Sequence, residues 1–297
     1  MNIILIFIQS VFIFITTCLL LIDNAIYTIA LDQEMIYENN FKKFPIWMSV
    51  KSKLTPTEME IKATAFVLNY PGYNLTKFDD EMCYYVIDTH YTQYTFVKDF
   101  TIGVMKSDFC RYLMVYHYGG VYMDSDVFFQ KDPKDWMDYK YLSDDNRVYS
   151  NVNFMVGLEG VPNEHFKEIG FCGDIQVVQW TFAATKQHPI LLHMMDAIRD
   201  RYYKDKSKFV NWYDAVASTG PCVMTNGIKW YFNLNNESID GIKQITDTTL
   251  IVKDVFMGPL SFFNCGDKNI FVKSDCNEMT AIIHKYQGSW KHDLQLK

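Results

Sequence analysis

The segment SDFCRYLMVYHYGGVYMDSDVFF, residues 107–129, constrains the fold of this chain more than any other. Phe109, Tyr112, Leu113 and Tyr116 recur at i, i+3, i+4 and i+7, the spacing of one apolar helix face. Gly119 and Gly120 follow at once, and a helix commonly stops on a glycine that can take the left-handed conformation. VYMDSDVFF then reads as a buried strand. A helix that runs straight into a buried strand implies a layered α/β domain, with helices covering a sheet.

The flanking segments extend that pattern. FPIWMSV (44–50) reads as a first buried strand, TPTEMEIKATAFVLNY as a helix with Thr55 as N-cap and Pro56 at its first position, and YNLTKFD as a strand after a Pro71-Gly72 turn. Strand, helix, strand implies a parallel pair. TQYTFVKDFTIGVMKSDFCRYLMVYHY (92–118) is helical in pattern throughout. Beyond it come a strand VNFMVGL, a helix IQVVQWTFAAT, a helix ILLHMMDAIRDRYY, and short strands near 249–256 and 269–273. With 49% hydrophobic and 16% aromatic residues in 297, the chain can bury one sizeable core. It carries no repeat or Pro/Gly/Ser linker, so residues 44–297 read as one domain: an α/β nucleotide-binding, Rossmann-like fold with a mostly parallel central sheet.

Residues 3–22, IILIFIQSVFIFITTCLLLI, hold no charge over about the length that crosses a bilayer core as a helix. The run is longer than a cleavable signal core and lacks a well-placed small-residue site, so residues 1–22 read as a cytoplasmic tip and a signal-anchor transmembrane helix. Acids at 23, 32 and 34 follow it, and the first basic residue is Lys42. The expectation is a single-pass type II protein of the Golgi or ER membrane, with a short stem at 23–43 and a lumenal body. Sequons at Asn74 and Asn236 fit a lumenal body. The net charge of −7 has no basic stripe against it, which excludes nucleic acid as the expected partner. Seven cysteines show no metal-ligand spacing. Cys265 with Cys276 is the best single disulfide pair, and Cys110, inside a helix, reads as a small buried apolar residue.

The chemistry concentrates where the argument began. Asp124 and Asp126 share parity, so on an extended backbone both carboxylates face one side and can meet one hard cation. They follow a strand, and ligands of open α/β sheets bind beyond the carboxyl ends of strands. Val121, Tyr122, Phe128 and Phe129 mark that strand as buried, and buried carboxylates need a cation or donors to offset lost hydration. Asp108 and Arg111 stand one helical turn apart. They are either an exposed ion pair of little energetic weight or a clamp for sugar hydroxyls, the acid accepting and the guanidinium fork donating.

The block 107–126 resembles the S-D-x-x-R-Y-x-x-L-x-x-x-G-G-x-Y-x-D-x-D block of DXD-motif glycosyltransferases. FPIWMSVK, NYPGYNLTKFDDE, VGLEG, QWTFAATKQHPIL, STGPCVMTNGI and IIHKYQGSWK extend the likeness over about 44–292 to glycosyltransferase family 32, most of all to its initiation-specific alpha-1,6-mannosyltransferases. That resemblance implies a GT-A fold and a retaining, metal-dependent transfer of mannose from GDP-mannose to an N-linked glycan or glycoprotein acceptor. A glycolipid acceptor, another donor sugar, or a non-catalytic carbohydrate-binding protein are the alternatives. It implies that Asp124, Asp126 and His284 hold manganese or another divalent cation, and that Asp108, Arg111, Tyr122, Asp124 and Trp290 bind the donor, with Asp108, Arg111, Asp124 and Asp126 catalytic. The chain departs from the family pattern at Phe44, Val50, Gln187 and Cys222, the last two standing where the family has glycine.

Overall fold

The computed structural model describes residues 45–51, 56–70, 73–132, 136, 152–160, 172, 175–211, 214–234, 250–252, 254–258, 260–263 and 280–284. The apolar run 3–22, the stem 23–43, Asn236, Cys265, Cys276, the strand expected at 269–273, and Trp290 lie outside these residues. Among the described residues no helix is long and apolar enough to cross a membrane.

The expected opening is present. β1 (Ile46–Ser49) and β2 (Leu75–Phe78) pair in parallel, joined through α1 (Glu58–Val67). Thr57 caps α1 instead of Thr55: its hydroxyl accepts from the Glu60 N–H at 3.2 Å while the Glu60 carboxylate takes the Thr57 N–H at 3.0 Å. This reciprocal box satisfies two otherwise orphaned donors, and it leaves Pro56 ahead of the cap rather than inside the helix. The stretch 92–118 is two elements: a 3-10 helix (Thr92–Asp99) and α3 (Gly103–Tyr118), with Phe100 extended between them. Before them α2 (Asp80–His90) starts on an Asp79 cap, a helix the apolar pattern did not suggest.

α3 ends at Gly119 and Gly120, with φ of 72° and 113°. A Cβ on Gly120 would fall 2.3 Å from the Pro45 carbonyl oxygen, so only glycine lets β3 (Gly120–Met123) come against the start of β1. β4 (Val127–Phe129) follows, then β5 (Phe154–Gly160). The segment 175–185 is not the expected helix. It forms β6 (Gln176–Val177), paired to β5, and β7 (Thr181–Ala184), lodged antiparallel between β3 and β5. The four residues of β7 are all buried, and long-range pairing decides their state where an apolar run suits helix and strand alike.

α4 (Pro189–Lys204), α5 (Ala215–Ser218) and α6 (Pro221–Leu234) come next, then β8 (Leu250–Val252), β9 (Val255–Gly258), α7 (Leu260–Phe263) and β10 (Ile282–His284). The sheet order is β2-β1-β3-β7-β5-β9-β8 with β6 beside β5. β2, β1, β3, β5 and β9 point one way and β7, β6 and β8 the other, which makes the sheet mixed but mostly parallel in direction. α3 packs on β1 and β3 and against α2 and α4.

Cys110 corrects the sequence reading. It is bonded to Cys83, tying α2 to α3 between Asp108 and Arg111. A second disulfide joins Cys172 to Cys222 at the start of α6. Cysteines 27 and 50 residues apart give no spacing signal, so neither pair is visible in one sequence.

Candidate active site

β3 ends at Met123, and the chain turns rather than extending. The Val127 N–H donates to the Asp124 carbonyl at 3.2 Å, closing a tight turn over Asp124-Ser125-Asp126. The two carboxylates therefore meet because of a turn, not because of strand parity. β4 then pairs antiparallel with β10, setting His284 opposite Val127. The His284 Nε2 lies 3.1 Å from Asp126 Oδ1. Ligand atoms of Asp124, Asp126 and His284 all fall within 4.8 Å of one another.

Behind the turn, Arg111 is a buried hub. Its Nη2 is 3.1 Å from Asp108 Oδ1 and its Nη1 is 3.5 Å from Asp124 Oδ1. Nη1 also donates to the Gln179 carbonyl at 3.2 Å. The guanidinium lies 4.7 Å above the Tyr122 ring, while the Tyr122 hydroxyl donates to Asp124 Oδ1. With Asp108 1% and Arg111 4% exposed, the pair is not a surface i, i+3 contact. Asp108 is held further by Thr219, whose hydroxyl donates to Oδ2 at 2.8 Å, and by the Gln179 amide at 3.2 Å. Tyr112 closes the floor, its hydroxyl donating to Gln179 Oε1 at 2.6 Å and to the Thr219 carbonyl at 2.8 Å.

Burial pushes the Asp108 carboxyl up to about 6, against the Arg111 charge and the Thr219 hydrogen bond. Burial likewise raises Asp124; Arg111 opposes the shift and neighbouring Asp126 adds to it. Among the described residues, three carboxylates, one guanidinium and one imidazole gather here. Carboxylate oxygens and an imidazole nitrogen within 4.8 Å of one another suit a hard or borderline divalent cation.

The structure thus brings together Asp108, Arg111, Tyr122, Asp124, Asp126 and His284; Trp290 is outside the described residues. The sequence pattern does not single out Gln179, Thr219, Tyr112 or Trp180 as site residues. Trp180 stacks on His284 with ring centroids 4.4 Å apart, and its carbonyl accepts from the Asp124 N–H at 2.8 Å. The signal for Gln179 and Trp180 was a polar-aromatic pair interrupting an apolar run.

A buried Asp-Arg pair beside an Asp-x-Asp turn at the carboxyl edge of an α/β sheet is an arrangement suited to a divalent cation and a polar ligand. Residues 56–143 match the family described as glycosyltransferase sugar-binding region containing DXD motif. Among individual proteins, the chain is similar to the initiation-specific alpha-1,6-mannosyltransferase of Schizosaccharomyces pombe, 29% identical over 273 residues, covering 88% of this chain and 66% of the relative. The protein of the same name from Candida albicans is 27% identical over 249 residues, covering 75% and 64%. Inositol phosphoceramide mannosyltransferase 1 of Schizosaccharomyces pombe is 29% identical over 233 residues, covering 74% and 60%. The chain therefore spans just under two thirds of the length of these relatives.

Proposed function

We propose that this chain is a retaining GT-A mannosyltransferase that moves mannose from GDP-mannose to an N-linked glycan, working in the lumen of the Golgi or ER behind an N-terminal membrane anchor. The observation that carries the proposal is the Arg111 bridge between Asp108 and Asp124, set directly behind the Asp124, Asp126 and His284 cluster. Similarity to the alpha-1,6-mannosyltransferases supports the sugar. Two disulfides fit an oxidising compartment.

Asp124, Asp126 and His284 would hold a divalent cation, with manganese favoured, which supplies Lewis-acid neutralisation of the departing diphosphate. The Tyr122 hydroxyl and Arg111 both engage Asp124 Oδ1, so this carboxylate is held in one orientation. Arg111, fixed by Asp108 and by the Gln179 carbonyl, sets the floor on which the donor sugar rests. Asp108, itself enclosed, fixes Arg111 and the Gln179 amide, and the part-buried Gln179 side chain is a polar group suited to a sugar hydroxyl. No side chain is assigned as a general base: in front-face retaining transfer the departing phosphate oxygen takes the acceptor proton.

Titration of GDP and GDP-mannose with manganese against the wild type, Asp126→Asn and Arg111→Lys tests this division of labour. Asp126→Asn should weaken both ligands. Arg111→Lys keeps the charge but loses the planar fork, so it should weaken GDP-mannose more than GDP. Equal weakening of both by Arg111→Lys, or unaltered GDP binding by Asp126→Asn, would refute the assignment. Similarity to an inositol phosphoceramide mannosyltransferase favours a second reading, with a glycolipid acceptor. Competition between the two acceptors in one transfer assay separates the readings.

A further inference from the structure

The sequon Asn74-Leu75-Thr76 is a motif that the proposed transfer does not use. Such tripeptides arise by chance, and a buried asparagine has no room for a bulky glycan, so the surroundings decide what the motif is worth. Asn74 is exposed. Tyr73 before it is 8% exposed, its hydroxyl donating to Asp132 Oδ1 at 2.6 Å, and Leu75 after it packs on the core. Neighbours on an extended chain point to alternate sides, so two inward residues leave the Asn74 amide directed out, on the side that Thr76 shares. The Asn74 carbonyl accepts the Ile46 N–H at 2.9 Å, which fixes the main chain to β1 while the side chain stays outside.

The sheet leaves room for a substituent there. β2 ends the strand order, and among the described residues it pairs with β1 alone, so no strand on its outer side is displaced. Asn74 also lies at the end of the sheet away from the candidate metal cluster. Leu75 and Val121 both stand opposite Ile46, which sets Asn74 level with the starts of β1 and β3, whereas Asp124 follows the carboxyl end of β3. A glycan on Asn74 therefore leaves the crevice of Asp124, Asp126 and His284 open. We propose that Asn74 is an N-glycosylation site. The inference rests on the reading of the body as lumenal, where an oligosaccharide transferase meets its donor, a lipid diphosphate-linked oligosaccharide. The Asn74 Nδ2 attacks C1 of the first sugar: the N–C1 bond forms, and the C1–O bond to the diphosphate breaks. The lipid diphosphate leaves with the bonding pair, and one amide proton passes to a base of the transferase.

The test is translation of the full chain in the presence of microsomes, with two readouts. Resistance to added protease reports whether the body has entered the lumen. A mass gain reversed by a glycosidase that converts a glycosylated Asn to Asp reports the glycan, and peptide mass spectrometry places it. Asn236→Gln serves as the background throughout, since the second sequon would otherwise add its own signal. In that background the protected chain should carry a glycan on Asn74. Adding Asn74→Gln should abolish it. Thr76→Val, which keeps the shape of the side chain and the amide of Asn74 but removes the hydroxyl, should abolish it too, while Thr76→Ser should retain it. Neither readout depends on transferase activity or on a bound metal. A protease-protected chain with Asn74 unmodified overturns the inference and leaves the lumenal reading standing. A mass gain that survives Asn74→Gln or Thr76→Val also overturns it, because the sugar then sits elsewhere. A chain that is digested and unmodified overturns both the inference and the lumenal reading.

Discussion

His284 and Asp126 are 158 residues apart in sequence, yet the imidazole Nε2 lies 3.1 Å from the Asp126 carboxylate. The short antiparallel pair of β4 and β10 makes the meeting, with His284 in register with Val127, next to Asp126 in the turn. The contact gives the acid turn a third ligand that neither residue could supply locally.

Asp126→Asn preserves size and removes one charge from this cluster, and His284→Ala removes the third donor. Asp126→Asn should lower metal-dependent turnover on the order of 100-fold or more, equivalent to about 3 kcal/mol of lost charge stabilisation. His284→Ala should do less, because two carboxylates remain. Steady-state kinetics over a manganese titration checks both. Excess manganese should partly restore His284→Ala and not Asp126→Asn.

A single carboxylate, Asp254, lies at the opposite edge of the sheet, just ahead of β9. Burial alone would raise Asp254, but the His188 imidazole 3.4 Å away and hydrogen bonds from Tyr231 and Asn153 hold it down to about 2. Against an unfolded value of 3.8, a depressed carboxyl stabilises the folded state above that value, and the gain is lost as pH falls from 3.8 towards 2. The wild type should therefore exceed Asp254→Asn by about 2 kcal/mol at pH 6, with the gap closing below about pH 3. Urea unfolding across that range measures it; a gap independent of pH would contradict the assignment.

Gln187 has φ of 61° and an exposed side chain, and its N–H donates to the Tyr116 carbonyl at 2.8 Å. A side chain in this conformation carries a steric cost that glycine escapes. Gln187→Gly should raise stability by about 0.5 to 1 kcal/mol despite the freer unfolded chain. Equilibrium denaturation reads this directly, and a less stable variant would show that the Gln187 side chain offsets the strain.

The disulfides close loops of 27 and 50 residues, for which chain entropy gives about 3.5 and about 4 kcal/mol. Cys83→Ser with Cys110→Ser, and Cys172→Ser with Cys222→Ser, should each lower the melting temperature by several degrees. The second pair should also lower turnover, because Cys222 follows the Thr219-Gly220-Pro221 segment that holds Asp108 and Tyr112. Unchanged melting in both double variants would refute the bonds.

The parts legible in the sequence were those settled by local pattern. The apolar face of α3, its double-glycine stop and the buried strand behind it need only neighbours in sequence. The strand-then-acid arrangement marked the site for the same reason. The rest depended on distant partners. Residues 181–184 became a strand because β3 and β5 flank them, Ala183 facing both Val121 and Met155. Thr219 and Gln179 reach Asp108 across 111 and 71 residues, and no periodicity encodes such contacts. His284 entered through family resemblance alone. Cys110 looked apolar because its partner, Cys83, lies on another helix.

The central claim is that the acid turn runs a metal-dependent transfer of mannose. Its most direct measurement is incubation of the purified chain with manganese and a panel of nucleotide sugars in the presence of a mannose-terminated glycan, following release of free nucleotide diphosphate and gain of one hexose by mass spectrometry. GDP-mannose should be consumed with the glycan gaining one hexose, and both signals should vanish on chelation and in Asp126→Asn. Transfer that persists undiminished after exhaustive chelation, or in Asp126→Asn, would contradict the account.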